Sequence, residues 1–513
     1  MAMYLSELLS NYKTVAKIPK IFIKNIAYSI NDITEEPTAF FHLEAFLENH
    51  NWQQRIEEAI KKGAVVLVLD ASDPFYDYKE ITEMFASIIN IVTVIALHKN
   101  ISFIATKFFN YPDKKMRVLA VTGTNGKTSV AHITAQALNN LGISTAIVGS
   151  VGYGLISESL TMEPLTGFRL GYTTPPAISL FRILDRFARL KVEIVVIEVT
   201  SHALEWDTIA AIDIEVAIFT NVTADHLEYH GNMLSYINAK KKLFNFSNIQ
   251  SPSFSVINSD DRIGRTLIRE LSALGKKIIT YSSNQSSNYG NAKVVLAQNI
   301  MHSINGTSLD IYHNNKVAKF VTPFLGSFCV HNILAVASCL ITMGFALNDV
   351  ALAFSKLVRV PGRMEVFSRD GLPTSIVDFA HNPDGIEKCL SSAREISSGG
   401  KLYFVYGCSD VTTDHFNKMV ADIVNKYADY IIITSTNAYS TNTQSIEKFV
   451  EYFPTDNYRR ISNRKKAIRY AINKAHPGDI VLIVGKGVQN FILTGGKMIP
   501  HNDVDYVKNI YVR

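Results

Sequence analysis

A chain of 513 residues has room for about three domains. Its 47% hydrophobic and 19% charged residues are the make-up of an ordinary soluble globular protein, and a formal charge of +5 over this length gives no footing for a nucleic-acid partner. Cys329, Cys339, Cys389 and Cys408 all lie in the second half, never at CxxC spacing, which argues against a zinc site or a disulfide framework and suits a reduced, cytoplasmic setting.

The N-terminal "MAMYLSELLSNYK" carries Glu7 and has no uninterrupted apolar stretch, so it does not read as a signal peptide. Short apolar runs ("IFIKNIAYSI", "GAVVLVLD", "IVTVIAL") then alternate with a helical stretch, "WQQRIEEAIKKG", which Gly63 stops. Residues 1–112 therefore read as a small α/β domain. The most apolar segment, "MFASIINIVTVIAL", is too short to span a bilayer and runs into His98 and Lys99. It reads as a buried strand with its flank, and no membrane insertion is expected. "FFNYPDKKMR" reads as a linker, because Pro112 and the charges break the pattern.

A second unit, 113–357, opens at "VLAVTG" and alternates β-rich runs ("VEIVVIEV", "EVAIFTNV", "PSFSVINS", "KKIITYS") with helical ones, the pattern of a parallel sheet covered by helices. "NQSSNYGN" within it reads as a polar surface loop, and the turn-rich "VRVPGRMEVF" marks its end. Residues 358–513 repeat the alternation through "TSIVDFAHN", "KLYFVYG", "YADYIIITST" and "DIVLIVG", with "HFNKMVADIVNKYA" as an intervening helix. This predicts a three-domain α/β protein: a small N-terminal domain, a central P-loop parallel-sheet ATPase domain and a C-terminal Rossmann-like domain.

The chemistry begins at "VTGTNGKTSV", 121–130. A strand ends, Gly123 and Gly126 let the backbone turn, and a helix N-terminus follows to present its N–H groups to anionic oxygen. The stretch lacks the usual first glycine of a P-loop, Val121 standing in its place, but the working parts remain. Thr124, Asn125 and Ser129 lie in the phosphate-holding stretch. Lys127 can reach terminal phosphates, and Thr128 can hold Mg²⁺. Glu198, ending the apolar strand of "VIEVTSHALEW", is placed to be a second Mg²⁺ ligand. "FTNVTADHLEYHGNMLSYINAKKKLF" adds His226, His230 and Lys240 after a further strand. Alone, Glu198 reads equally as a solvated strand end and the three lysines 240–242 as a wet helix face.

Taken together, "TTP" at 173–175, "EVTSHAL" at 198–204, "FTNVTADHLEYHG" at 219–231, "AKKKLF" at 239–244, "GSFCVHNILAVAS" at 326–338, "VPGRME" at 360–365, "VDFAHNPDG" at 377–385 and "GKG" at 485–487 resemble the Mur ligases, and among them the tripeptide-forming members. Their order spans nearly the whole chain. The resemblance implies an ATP- and Mg²⁺-dependent ligase that phosphorylates a carboxylate of UDP-MurNAc-L-Ala-D-Glu and joins an amino acid to the acyl phosphate, in peptidoglycan precursor synthesis. It implies that Lys127 neutralises the phosphates, and that Thr128 and Glu198 hold one metal ion while His226 serves a second. Lys240 would become carbamylated, turning an ammonium into an anion able to bind Mg²⁺. Asn332 would face adenine, Arg363 and Asp378 would complete the nucleotide site, and His381 would lie near it. Ser29 would contact uridine, with Thr173, Thr174 and Thr200 near the acceptor. Asn437, Tyr439, Gly485 and Gln489 would stand near the incoming amino acid. A monomer is expected.

Departures from the family pattern fall at substrate positions. "DNPR" or "DNPA" has become Thr436, Asn437, Ala438 and Tyr439, and "GKGHE" has become "GKGVQ". A basic segment is replaced by "SDVTTDHF", 409–416. These changes point away from diaminopimelate, whose far carboxylate an arginine would grip bidentately. They leave lysine without an acidic partner and favour a neutral side chain. On the acceptor side, Trp206 and Thr208 stand where Gln and Arg would hold an acidic group. Three alternatives stay open: a paralogue joining a different acid and amine in a specialised pathway, a folylpolyglutamate-synthase-like ligase, and a non-catalytic ATP-binding paralogue.

Overall fold

The computed structural model describes the chain except residues 1, 44–50, 157–172, 245–251, 285–292, 398, 409–412, 437–448, 454–456, 495–496 and 513. The chain forms two compact units, Met1–Ile279 and Thr280–Arg513. Among the described residues, no helix is long and apolar enough to cross a membrane.

The first unit holds two sheets. The N-terminal one is wholly parallel, in the order β1 (Asn25–Ala27), β2 (Thr38–His42), β3 (Ala64–Asp70), β4 (Asn90–Val94). Helix α1 (Trp52–Lys61) packs Ile56 and Ala59 into a core with Phe40, Leu67 and Leu69. Just beyond it Gly63 turns at φ 99, as the helix-stop reading expects. The apolar segment 84–97 resolves into a helix end, strand β4 and the first residue of helix α2 (Leu97–Phe108). The stretch read as a linker is instead packed. Asn110 and Tyr111 take left-handed conformations after α2, and Asp113 is buried with Thr106 donating to it at 2.8 Å.

The central sheet of this unit runs through β5 (Arg117–Thr122), β6 (Thr145–Gly149), β7 (Gly152–Leu155), β8 (Ile194–Glu198), β9 (Ile214–Phe219) and β10 (Phe254–Asn258). The spatial order is β10-β9-β5-β8-β6-β7, parallel apart from the β6–β7 hairpin. All five residues of β8, "IVVIE", are buried, as expected of a central strand covered on both faces. Register places Glu198 opposite Val121, Ile197 opposite Val148 and Phe219 opposite Thr122. The C-terminal ends of four strands thus gather at one edge, where helix α3 (Lys127–Asn140) begins.

The second unit contains an antiparallel meander, β11 (Lys293–Ser303), β12 (Gly306–His313) and β13 (Lys316–Thr322), which alternation in the sequence did not single out. It also holds the Rossmann-like sheet. That sheet comprises β14 (Glu365–Phe367), β15 (Thr374–Asp378), β16 (Leu402–Cys408), β17 (Tyr430–Ser435), β18 (Tyr458–Arg460) and β19 (Ile480–Val484), in the order β14-β15-β19-β16-β17-β18. Only β14 is antiparallel. Separate apolar clusters on its two faces are built around Phe404, Leu482 and Ile433, and around Val405, Ile483 and Ile468. Cys329, Cys339 and Cys389 are buried free thiols.

One buried charge cluster pins the last helix to this sheet. Arg464 and Asp503 are both fully buried and paired through two bonds of 2.8 and 2.6 Å, and the same guanidinium reaches the Val484 carbonyl at 2.8 Å. His501 Nε2 lies 2.6 Å from the same carboxylate. Removing one partner would leave an uncompensated interior charge, so Asp503→Asn is expected to cost about 3–5 kcal/mol in denaturant-induced unfolding. Beside this cluster burial, with Arg464, pushes the Lys486 ammonium down from 10.5 to about 7. The unfolded chain therefore holds this proton more tightly than the folded one. The resulting burden is full below about pH 7 and fades as pH rises toward 10.5. Lys486→Met should raise the Tm more at pH 6 than at pH 9; an equal gain at both would contradict this.

Candidate active site

The phosphate loop closes because Gly123 leaves space for a neighbouring side chain and backbone that a Cβ would fill, and Gly126 takes a left-handed turn. At Gly123, φ 151, a Cβ would fall 1.9 Å from Thr220 Oγ1 and 3.1 Å from the Asn221 backbone. The loop is laced to that neighbour: Thr124 N–H donates to the Asn221 carbonyl at 2.8 Å, Asn125 N–H to Asn221 Oδ1 at 3.0 Å, and Thr220 Oγ1 to the Asn125 carbonyl at 2.7 Å. Gly126, φ 90, caps α3. Lys127 Nζ folds back onto the carbonyls of Gly123 and Thr124 at 2.9 and 3.0 Å. Ser129 is half-buried in the first turn of α3.

Glu198, with no exposure, is the centre of the second network. Thr128 Oγ1 donates to its Oε2 at 2.8 Å, Ser150 Oγ to Oε2 at 3.2 Å, and Ser150 N–H to Oε1 at 2.9 Å. The approach depends on Gly149, where a Cβ would meet Oε1 at 2.0 Å. Thr173 Oγ1 is 2.8 Å from Ser150 Oγ, Thr174 Oγ1 donates to the Glu198 carbonyl at 2.8 Å, and Thr200 N–H donates to Thr174 Oγ1 at 3.0 Å. Hard oxygen donors from one carboxylate and two hydroxyls beside a phosphate loop fit Mg²⁺, which takes few protein ligands and completes its shell with phosphate oxygens and water. Among the described residues there is no cluster of three His, Cys, Asp or Glu that could hold a metal.

Lys240 is 2% exposed, donates to the Gly123 carbonyl at 2.7 Å and sits 4.6 Å from the centroid of the Tyr236 ring. Burial, with the Lys127 charge beside it, holds its amine well below the usual lysine range. The uncharged form of an amine is the one that reacts with carbon dioxide. The Tyr236 hydroxyl lies 3.0 Å from Thr124 Oγ1.

His226 has a left-handed backbone, φ 53, and packs at a ring separation of 4.9 Å against His202. His202 also meets His230 at 5.4 Å, and His230 Nε2 lies 2.9 Å from Ser201 Oγ. Burial, with His226, His230 and Lys240 nearby, pushes the His202 imidazole down to about 3, so it is neutral at physiological pH. Ser29 accepts from Asn31 N–H at 3.3 Å in the N-terminal domain.

The remaining expected residues belong to the second unit. Asn332 is buried in helix α4 (Ser327–Thr342). The Asp378 carboxylate accepts N–H bonds from Met364 and Ala380 at 2.8 and 2.7 Å. The Arg363 guanidinium lies over the Phe379 ring at 4.8 Å, and His381 is exposed with Nδ1 3.2 Å from the Phe379 carbonyl. Gly485, φ 101, donates to the Asp378 carbonyl at 3.2 Å, and Gln489 N–H to the Lys486 carbonyl at 2.9 Å. Asn437 and Tyr439 lie outside the described residues.

Sequence reasoning missed Ser150, Gly149 and Tyr236. A signal for the first two was available: "AIVGS" is an apolar strand ending in a glycine and a hydroxyl, next to β8 in a parallel sheet. Tyr236 had none, since one aromatic in a helix is ordinary core.

A strand, a glycine turn and a helix N-terminus with a buried carboxylate at the neighbouring strand end define a P-loop nucleotide-binding protein. The Mur ligase middle domain matches residues 121–340, and the Mur ligase glutamate ligase domain matches 362–487. The UDP-N-acetylmuramoyl-L-alanyl-D-glutamate–2,6-diaminopimelate ligase of Coxiella burnetii is 31% identical over 459 residues, 88% of this chain and 89% of the relative. That of Geobacillus kaustophilus is also 31% identical, over 90% of both chains. A solved structure of a ligase of that name superposes with a TM-score of 0.65 at 25% identity, covering 100% of this chain and 99% of the other. A Mycobacterium tuberculosis folylpolyglutamate synthase, at 16% identity and a TM-score of 0.60 over 80% of this chain and 94% of its own, shares the fold. The chain belongs to the Mur ligase family, the ATP-dependent ligases of peptidoglycan precursor synthesis. It is an acid–amino-acid ligase, and ATP with Mg²⁺ is that family's nucleotide.

Glu198→Gln keeps an acceptor for Thr128 but removes the charge. It is expected to lower ATP-dependent turnover by roughly a hundredfold or more while leaving the Tm within a few degrees of wild type. Undiminished turnover in that variant would show that the carboxylate holds no metal.

Proposed function

We propose that this protein extends a carboxylate of UDP-MurNAc-L-Ala-D-Glu with an amino acid through an acyl phosphate. The observation that carries this reading is the Glu198–Thr128–Ser150 network at the mouth of the phosphate loop, in a chain aligned with named ligases over nine-tenths of its length. The proposed division of labour follows three domains, 1–112 for the UDP-sugar, 113–357 for ATP and 358–513 for the amino acid.

In the first step an acceptor carboxylate oxygen attacks the γ-phosphorus and the bond to ADP breaks. Such transfer needs positioning and charge neutralisation rather than covalent help from the protein. Lys127 and the N-terminus of α3 supply the positive field; Thr128 and Glu198 would hold Mg²⁺, which would neutralise further phosphate charge. His226 would serve a second metal position. Asn332, Arg363 and Asp378 serve the nucleotide, and His381 lies near it. In the second step the uncharged amine of the amino acid attacks the acyl carbon, phosphate leaves with the carboxylate oxygen, and the amine sheds its proton. Ser29 contacts the uridine end of the acceptor, while Thr173, Thr174 and Thr200 lie along its reacting end. Gly485, Gln489, Asn437 and Tyr439 frame the amino acid, for which the loss of charged partners favours a neutral side chain. The protein acts as a cytoplasmic monomer in this reading.

Lys240 is proposed to carry a carbamate. Its burial and depressed basicity support this, because the free ammonium could not share a site with Mg²⁺. Lys240→Ala should lose ligation, and added bicarbonate should not restore it; full activity in the variant would remove the carbamate. The overall reading is tested by phosphate release with ATP, Mg²⁺ and UDP-MurNAc-L-Ala-D-Glu against each amino acid in turn, with mass spectrometry of the product. One amino acid should yield a new amide. Failure of all of them would move the protein to the alternative of a paralogue with another acid and amine.

A further inference from the structure

The segment that leaves strand β9, residues 220–223, lies against the phosphate loop and pairs with it group by group. The side-chain amide of Asn221 faces the backbone of Asn125. Its Oδ1 accepts from the Asn125 N–H at 3.0 Å, and its Nδ2 donates to the Asn125 carbonyl at 3.0 Å. A flipped amide would set donor against donor and acceptor against acceptor, so the pairing fixes its orientation. The Asn221 carbonyl also accepts from the Thr124 N–H at 2.8 Å. One asparagine thus holds the N–H of Thr124 and both backbone polar groups of Asn125. The Thr124 carbonyl, which completes the set, accepts from Lys127 Nζ at 3.0 Å.

The Thr124 side chain is held by the same segment. Its Oγ1 accepts from the Thr223 N–H at 3.0 Å, and lies 3.1 Å from the Thr223 carbonyl and 3.0 Å from the Tyr236 hydroxyl. A threonine hydroxyl has one proton and two lone pairs. With its proton on the Thr223 carbonyl, it accepts from Thr223 N–H and from the Tyr236 hydroxyl, and its capacity is filled. Behind the segment, buried Asn258 donates to the Thr220 carbonyl at 2.8 Å, and Thr220 Oγ1 donates to the Asn125 carbonyl at 2.7 Å.

We propose that Asn221 is a positioning residue for ATP. By pairing with Asn125 and Thr124 it keeps the phosphate loop in its anion-binding shape before nucleotide arrives, so that the loop need not be ordered at the expense of binding. Asn221 itself touches no phosphate. The oxygens fall to the turn at Gly126, the N-terminus of α3 and Lys127. The same stretch of backbone runs on to His226, so the loop and that proposed metal position are set together. The proposal goes beyond the ligase reading and is independent of which acid and amine are joined.

The test uses the full chain and Mg²⁺–ATP alone, titrated calorimetrically into wild type, Asn221→Ala and Asn221→Asp, with the Tm of each ligand-free protein and deuterium exchange at the loop amides. Asn221→Ala should weaken ATP binding at least about tenfold, and the amides of Thr124 and Asn125 should exchange about tenfold faster or more, with the Tm within a few degrees of wild type. Asn221→Asp should bind more weakly still, because a carboxylate cannot donate to the Asn125 carbonyl and adds negative charge near the polyphosphate. If Asn221→Ala does not fold, Thr220→Val keeps the side-chain shape, removes one bond to the same carbonyl and should move Kd and exchange in the same direction. A lowered Tm with an unchanged Kd, measured well below that Tm, would make the asparagine merely structural and overturn the proposal. Weakened ATP binding with unchanged exchange would make Asn221 a direct ligand and overturn it too. Failure of every acceptor in the ligation assay would sink the ligase reading and leave this measurement intact, since it contains no acceptor.

Discussion

A carboxylate with no access to water has to be fully hydrogen-bonded or neutralised, and Glu198 sets that requirement for this protein. Meeting it dictates much of what surrounds it. Position 149 has to be glycine, because any Cβ would stand on Oε1. Position 150 supplies an N–H and a hydroxyl, and position 128 brings a second hydroxyl from the first turn of α3. The registers of β5, β6 and β8 hold these groups at one edge. A Mg²⁺ ion arriving with ATP would replace hydroxyl hydrogens as the partner of that carboxylate. A second crowded point lies beside it, where the Gly123 carbonyl accepts from both Lys127 and Lys240. Burial, with the Lys127 charge beside it, lowers the basicity of Lys240 well below the usual lysine range.

The α/β alternation was legible because parallel strands buried on both faces read as unbroken apolar runs; "VEIVVIEV" and "DIVLIVG" need no tertiary information to be recognised. The meander at 293–322 was not legible, since strands with one wet face such as "KVAKFVT" carry a weak pattern. The packed turn at 110–115 was misread for a related reason. Asn110 and Tyr111 adopt left-handed backbones, and Asp113 is buried against Thr106, so charge and proline there mark a tight corner and not a tether. At the site, Lys127, Thr128 and Glu198 announced themselves by spacing. Ser150 and Tyr236 reach the site only through folding, and the chemistry of a lone serine or tyrosine says nothing until its neighbours are known.

The phosphate-handling side and the substrate-handling side of this chain have different characters. Thr128, Glu198 and Lys240 are buried polar groups and Lys127 is half-buried beside them, in glycine-dependent packing where a change of one side chain disturbs several bonds at once. Trp206 meets His98 edge-on and donates its indole N–H to the hydroxyl of Tyr229, whose partly exposed ring packs on His202.

The central claim is that ATP activates a carboxylate as an acyl phosphate. It is tested most directly by ligation of an acceptor whose carboxylate oxygens carry ¹⁸O, with mass analysis of the phosphate released. Attack by the carboxylate on the γ-phosphorus transfers one labelled oxygen to phosphate for every amide formed, and this is the result expected here. Unlabelled phosphate accompanying a new amide would contradict the mechanism.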